Sequence, residues 1–155
     1  MAGRLSAIRN VTPDLIATAE LVVETRGEGF TDITHDAARF IEQSGARDGA
    51  LFIYLRHTSA SLVIQENADP DVQTDLTAAL RLLAPDDGPW IHIVEGPDDM
   101  PAHVKAALVG SDVSLPVRDG RPCLGTWQGI YLCEYRDQAT ARRLVLTLQG
   151  ELVEG

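Results

Sequence analysis

The sequence predicts an α+β protein in which a mainly antiparallel, sandwich-like sheet carries helices on its flanks. Segments with strand and helix patterns follow one another without the regular β–α–β alternation of a parallel sheet. The last third of the chain reads almost entirely as strands around a hairpin turn at Asp119-Gly120. No repeat or linker-like segment divides the 155 residues, so we expect a single domain spanning residues 1–155.

The first elements are a strand and a helix. Val11–Glu24 is rich in residues that favour strands, and the turn at Gly27-Glu28-Gly29 ends it. Apolar residues then recur with helical spacing from Ile33 to Ile41, and Gly45 supplies a helix stop.

The middle of the chain predicts two strands and a well-marked helix. Ala50–Arg56 is so apolar that we expect a strand buried on both faces or nearly so, and Ser61–Gln65 follows as a second strand. Asp69 is an N-cap candidate, and Pro70 occupies the first helical position, where its missing N–H has no cost. The helix carries an apolar stripe of nearly helical period, which consists of Val72, Leu76, Leu80 and Leu83.

The remaining elements are one helix and several strands. Trp90–Val94 is predicted as a short strand, and Pro101–Val109 as a helix that Gly110 ends. The predicted strands of the tail are Ser111–Val117, Cys123–Glu134 and Arg142–Leu148.

The charge and composition exclude several classes of protein. The net charge is −10, and the cations are twelve arginines and a single lysine, so the surface repels a phosphate backbone and we expect no nucleic-acid partner. The longest apolar run falls far short of the roughly 18 residues of a membrane span, so we expect no membrane contact and a cytoplasmic location. The two cysteines, Cys123 and Cys133, are predicted to be reduced, because ten residues of one strand would hold them about 33 Å apart.

The acids and histidines are unevenly distributed. Glu66–Asp112 contains ten acids and only two cations. Many of these acids lie near predicted helix N-termini, where carboxylates are stabilising without any further role, but as a group they could hold Mg²⁺. Histidines stand beside them at positions 57, 92 and 103, and histidine is a common ligand and proton carrier near neutral pH. Their spacing matches no local metal motif, so a shared site would depend on a tertiary contact.

A second candidate region is Gly125–Ile130. Two glycines within a predicted strand indicate a bulge or a close approach by a ligand, and Trp127 and Gln128 would present an aromatic wall and an amide on opposite faces. Several arginines follow at positions 136, 142 and 143. They could form an anion pocket, because arginine binds phosphate bidentately; the alternative is a sandwich corner with surface charges.

Four motifs in this order resemble those of the YjbQ family, often described as secondary thiamine-phosphate synthases. They are His57-Thr58-Ser59-Ala60-Ser61-Leu62, Glu66-Asn67-Ala68-Asp69-Pro70, Glu95-Gly96-Pro97-Asp98-Asp99-Met100-Pro101-Ala102-His103 and Leu124-Gly125-Thr126-Trp127-Gln128-Gly129-Ile130. The resemblance covers about Leu15 to Leu152, and His57, His92 and His103 fall on the family's histidine positions.

The resemblance implies a homotrimer with a weak transferase activity. In that reaction, hydroxymethylpyrimidine diphosphate and thiazole phosphate are joined and pyrophosphate is released, so the substrates are small phosphorylated molecules. On this hypothesis, Mg²⁺ would be held against the diphosphate by Asp69, Asp71, Asp98 and Asp99. The expected catalytic residues are His57, His103, Asp98 and Glu134, and the expected substrate-binding residues are Thr58, Ser59, Asn67, Thr126, Trp127, Gln128, Arg136 and Arg143.

The alternative is a trimeric protein that binds a metal or small molecule and has no dedicated reaction. The three histidines, together with Glu134 or Asp98, suit zinc or a similar ion. Both hypotheses require the fold to bring His57, His103 and the carboxylates near Asp98 into one polar hollow close to Trp127.

Overall fold

The computed structural model describes residues 3–153, and this part of the chain forms one α+β domain. Its strands are β1 (Leu15–Glu24), β2 (Gly29–Asp32), β3 (Ala46–Leu55), β4 (Ala60–Glu66), β5 (Asp112–Arg118), β6 (Arg121–Pro122), β7 (Gln128–Glu134) and β8 (Ala141–Leu152). Its helices are α1 (Thr34–Ser44), α2 (Pro70–Leu83) and α3 (Asp99–Val109). The α+β class predicted from the sequence is confirmed.

The strands form two antiparallel sheets that share one core. The larger sheet has the order β1-β8-β3-β5-β6, and the smaller sheet has the order β2-β7-β4. Alternate residues of each sheet face the other sheet, as two-residue periodicity requires. The inward rows of the central strands are almost entirely aliphatic and fully buried; they include Leu51, Ile53, Leu62, Ile130, Leu132, Leu144, Leu146 and Leu148.

Two of the helices bury side chains and one does not. Helix α1 ends at Gly45, which adopts a left-handed φ of 74°, and buries Ala37 and Ile41 against the core. Helix α3 covers the outer face of the smaller sheet, where Ala102 packs against Cys133. In α2 no residue is buried. Its apolar stripe is half-buried except at Leu83, and Leu80 packs against the cluster of Ala102, Cys133 and Tyr135, because α2 lies over β2 and α3.

Two predicted strands differ from the structure. Residues 90–94 form no strand: Ile91 and Val94 are 98% and 91% exposed, and no neighbouring strand offers them a pairing edge. The predicted strand Cys123–Glu134 is interrupted, because a turn over residues 125–128 delays the start of β7 to Gln128. The two cysteines therefore do not share a strand, although both are free thiols as predicted.

Within residues 3–153, no helix is long and apolar enough to cross a membrane.

Candidate functional site

Three side chains that are separated in the sequence meet at the N-terminal end of α3. Asp99 and His103 are four residues apart and therefore lie on one face of the helix, and His92 reaches them from the loop that precedes it. The Nε2 atoms of His92 and His103 lie 2.8 and 3.1 Å from the same oxygen, Oδ2 of Asp99. We call these three residues the ligand group, since their ligand atoms all lie within 4.8 Å of one another; no other such group occurs in residues 3–153.

The hydrogen bonds of His103 determine which of its nitrogens is free. Nδ1 lies 2.8 Å from the carbonyl oxygen of Thr58, and because a carbonyl only accepts, Nδ1 must carry the proton. In a neutral ring, the lone pair of Nε2 then faces the carboxylate of Asp99, which is also an acceptor. A second proton or a metal ion relieves this conflict. Nδ1–H donated to a backbone carbonyl is also the arrangement that metal-ligating histidines usually adopt.

The distances in the ligand group suit a tetrahedral metal centre. With bonds of about 2.0–2.1 Å, two ligand atoms of tetrahedral zinc lie about 3.3 Å apart. The two nitrogen-to-oxygen distances, 2.8 and 3.1 Å, fall only a few tenths of an ångström short of this value. The third pair of ligand atoms, the two histidine nitrogens, lies within 4.8 Å.

Asp99 is held in place by Arg136, which lies just after β7. Nη1 of Arg136 donates to Oδ1 of Asp99 over 2.5 Å, and its Nε donates to Oδ2 of Asp98 over 2.9 Å. Burial raises the pKa of Asp98, but the backbone N–H of Asp137 and the guanidinium of Arg136 outweigh it and hold the pKa below its usual value. Arg136 thus occupies one oxygen of Asp99 and leaves Oδ2 for the histidines.

An open cleft adjoins the ligand group. It has a volume of about 330 Å³ and is lined by His57, Thr58, His103, Ala106, Ala107 and Ser111. Nε2 of His57 accepts the backbone N–H of Arg143 over 2.8 Å, which places the ring proton on Nδ1. Burial and the nearby positive charge of Arg142 lower the pKa of His57, so this histidine is neutral near pH 7.

Glu134 lies behind the cleft rather than in its wall. Its side chain is 1% exposed and pairs with Arg142, which is 3% exposed. Nε of Arg142 donates to Oε1 of Glu134 over 2.8 Å, and Thr25 donates to the same oxygen over 2.7 Å. Burial raises the pKa of Glu134, but Arg142 and Thr25 outweigh this effect and lower it. Arg142 also donates to the side chain and carbonyl of Ser59, over 2.9 and 3.0 Å.

The structure places the region around Trp127 far from the ligand group within one chain. Ala60 pairs with Glu134 at one end of the β4–β7 ladder, and Glu66 pairs with Gln128 at the other end. Six steps of about 3.3 Å separate these ends by roughly 20 Å. His57 and the ligand group lie at the first end, so the single hollow that was to include Trp127 does not form within one chain.

Asn67 and Gln128 hold the loop of Trp127. The Asn67 amide donates to the carbonyl oxygens of Thr126 and Gln128, both over 3.2 Å. The Gln128 side chain accepts the N–H of Gly125 over 2.9 Å. The indole of Trp127 itself is 64% exposed. The polar side chains at this end therefore satisfy the backbone of their own loop.

The other expected site residues are also placed apart from the ligand group. Asp69 caps α2 by accepting the N–H of Asp71 over 2.9 Å, and Asp71 is exposed in the first turn. The side chain of Arg143 is 55% exposed and donates to Glu20 over 2.5 Å. Helix capping, the plainer explanation offered by the sequence, accounts for Asp69.

Sequence reasoning did not assign the buried partners of Glu134, which are Arg142 and Thr25. A signal was present for Arg142. The tail alternates from Leu148 through Leu146 and Leu144, and the next position of that inward row is Arg142. A charge where the strand pattern requires an aliphatic side chain marks a departure from local rules, and such departures concentrate at functional sites.

Comparisons with known proteins agree with this fold. Residues 19–151 match the family model described as UPF0047 protein YjbQ-like. A UPF0047 protein of Synechocystis is 42% identical over 133 residues, which is 85% of this chain and 90% of the relative. The UPF0047 protein YjbQ of Escherichia coli O157:H7 is 40% identical over 84% of this chain and 96% of its own length.

A solved structure gives the same result. An uncharacterized conserved protein of the YjbQ/UPF0047 family from Clostridium acetobutylicum superposes with a TM-score of 0.78 and is 37% identical. The match covers 84% of this chain and 98% of that protein. The chain therefore belongs to the YjbQ/UPF0047 family.

Proposed function

We propose that the chain binds a divalent transition-metal ion through the ligand group and that the resulting centre is catalytic. The observation that carries the proposal is the pair of histidine nitrogens directed at one carboxylate oxygen, with the second nitrogen of His103 committed to the carbonyl of Thr58. Two imidazoles favour zinc over Mg²⁺, which prefers oxygen ligands. Zinc is therefore the ion that we expect to bind most tightly.

The open cleft supports a catalytic role over a purely structural one. Catalytic zinc sites typically have three protein ligands and leave one position to water or substrate, and the ligand group supplies three. When bound, such an ion polarises a substrate oxygen or activates water. In the cleft, Nδ1–H of His57 is the donor that can orient a substrate, while Ala106 and Ala107 provide a small apolar wall.

The finer proposal is the reaction that the family resemblance implies, the synthesis of thiamine phosphate. Arg143, whose backbone N–H donates to His57, carries a half-exposed guanidinium that pairs with Glu20. It can therefore take a phosphate group of the substrate. Arg136 is less suited to this role, since Asp98, Asp99 and the carbonyl of Glu95 already occupy it.

A metal-binding protein without a dedicated reaction is the second candidate. It is favoured by the positions of Asp69 and Asp71, which lie on α2 and do not join the ligand group. Carboxylates that would hold Mg²⁺ against a diphosphate are therefore fewer than the synthase hypothesis assumes.

We also propose that the chain forms a homotrimer in the cytoplasm. The outer face of the larger sheet exposes Phe52 and Tyr54 of β3, which are 46% and 54% exposed, while β8 separates them from Ile16 and Val22 on the edge strand β1. Two exposed aromatic side chains on one sheet face are available for contact with a second copy of the chain. Light scattering after size exclusion tests the assembly, and a monomer at micromolar concentration contradicts it.

Titration calorimetry tests the metal site. We expect one zinc ion per chain, much weaker Mg²⁺ binding, and loss of zinc binding in His103→Ala. His35→Ala is the matched control, because His35 is exposed on α1 and outside the ligand group. Equal zinc binding by wild type and His103→Ala would reject the site.

Growth without thiamine, in cells that lack the usual synthase, tests the reaction. We expect the wild-type chain to restore growth and His57→Ala to fail while retaining zinc. Zinc binding without rescue at high expression would favour the second candidate.

A further inference from the structure

Both sheets end their inward rows with a charged residue at the same end of the sandwich. In β8 the buried row Leu148, Leu146, Leu144 continues to Arg142, and in β7 the row Ile130, Leu132 continues to Glu134. These two side chains are 3% and 1% exposed and pair across the core. Strand alternation alone would place aliphatic side chains at both positions.

Stability does not explain this pair. Removing two charges from water costs as much free energy as their attraction returns, and apolar replacements of similar shape are often neutral or stabilising. The hydrogen bonds of the pair therefore indicate its role. One set leads toward His103 and the other toward Asp99.

The first set of contacts leads to the histidines. Nη1 and Nη2 of Arg142 donate to Oγ and the carbonyl of Ser59, over 2.9 and 3.0 Å. The preceding residue, Thr58, offers the carbonyl that fixes Nδ1 of His103, and His57 comes directly before it. Arg142 thus holds Ser59, the residue that directly follows the carbonyl that orients His103.

The second set of contacts leads to Asp99. Oε2 of Glu134 accepts the backbone N–H groups of Tyr135 and Arg136, over 3.0 and 3.2 Å. These bonds fix the turn from which the Arg136 side chain reaches Oδ1 of Asp99. Glu134 therefore acts on the carboxylate of the ligand group through Arg136.

We propose that Arg142, anchored by Glu134, is a positioning residue that aligns the histidine side and the carboxylate side of the ligand group. The proposal rests on the metal site proposed above. It assigns no contact with substrate to either residue. Its role is to keep the Thr58 carbonyl, His57 and Asp99 at fixed positions relative to one another.

Two double variants test the proposal. Glu134→Gln with Arg142→Met removes the contacts to Ser59 but keeps an acceptor for the backbone N–H of Arg136. Glu134→Leu with Arg142→Met removes both sets of contacts. We expect the first variant to keep the melting temperature of the wild type but to bind zinc about tenfold more weakly, as loss of outer-shell support commonly does. The second should bind zinc more weakly still.

A distant ion pair supplies the control. Arg9→Met with Asp48→Leu removes a partly buried pair at the start of β3, the end of that strand opposite to His57, and it should leave zinc affinity unchanged. Wild-type zinc affinity in the folded Glu134→Gln, Arg142→Met variant would overturn the proposal, even if the leucine variant failed to fold.

Nitrogen NMR of the metal-free protein separates this proposal from the metal site itself. We expect His57 to be a single Nδ1–H tautomer in wild type and a mixture of tautomers in the Glu134→Gln, Arg142→Met variant. If the wild type bound no zinc, the proposed metal site would be rejected. The tautomer measurement would still test the positioning role. An unchanged single tautomer in the variant would contradict that role.

Discussion

The two ends of the β4–β7 ladder use polar side chains in opposite ways. At the end of Trp127, the amides of Asn67 and Gln128 bond to the backbone of their own loop, so each group has a partner inside the chain. At the other end, two histidine nitrogens meet a carboxylate oxygen that His103 cannot satisfy as a neutral ring. Complete pairing indicates a structural loop, whereas a neutral His103 whose lone pair faces a carboxylate indicates a place for an external ion.

The largest effect that distinguishes the two ends should come from Asp99→Asn. This change removes the negative charge shared by His92 and His103 but keeps the shape of the side chain. We expect zinc affinity to fall by at least about 100-fold, since even outer-shell partners of a ligand cost 10–100-fold, in calorimetry or competition with a chelating dye. A change below threefold would show that the carboxylate is not a ligand.

Asn67→Ala should damage the opposite end without affecting the metal. It removes two hydrogen bonds to loop carbonyls, and we expect the free energy of unfolding to fall by about 1–3 kcal/mol in urea denaturation. The fluorescence of Trp127 should also change as its loop loosens. Weaker zinc binding in this variant would contradict the separation of the two ends.

Asp69→Ala tests a carboxylate that lies outside the ligand group of His92, Asp99 and His103. Loss of the N-cap should lower the free energy of unfolding by about 1 kcal/mol, measured by chemical denaturation. Zinc affinity should stay at the wild-type value. Weaker zinc binding in this variant would indicate that Asp69 contributes to the metal site.

The smallest effect concerns the pH dependence of stability. Because the pKa of His57 is lowered in the folded chain, its contribution is complete above the ordinary value of 6.5. The contribution is lost as the pH falls from 6.5 through the folded pKa, since protonation of Nε2 breaks the bond from Arg143. Melting temperatures of metal-free wild type and His57→Gln should therefore differ above pH 6.5 and converge as the pH is lowered below it. A constant difference would show that His57 does not titrate as described.

Local patterns predicted most of the fold. The N-cap at Asp69 and the stop at Gly45 act over a few residues, and both helix boundaries appear where the pattern placed them. A strand also forms at the apolar run of β3, but burial on both faces was wrong, because its outer face exposes Phe52 and Tyr54. The strand predictions that failed depend on contacts with distant parts of the chain or on individual side-chain hydrogen bonds, which a short stretch of sequence does not show. Residues 90–94 have strand-forming side chains but no neighbouring edge, and the turn ahead of Gln128 depends on its own side chain bonding back to Gly125.

The site was only partly visible in the sequence for a related reason. Asp99 and His103 are four residues apart on one helix, a spacing that can be read directly. The approach of His92 and the Thr58 carbonyl is fixed by how the loops cross, which no periodicity records. Trp127 illustrates the opposite error, since an aromatic residue within a distinctive motif lies some 20 Å along the ladder from the histidines.

The lack of any buried residue in α2 has a consequence for motion. An element that contributes little to the core can open while the rest of the molecule stays folded. The amide hydrogens of α2 should therefore exchange with deuterated solvent well before those of β7, whose last six residues are all buried. Proteolytic nicking would be expected first in the same helix, leaving the two sheets associated.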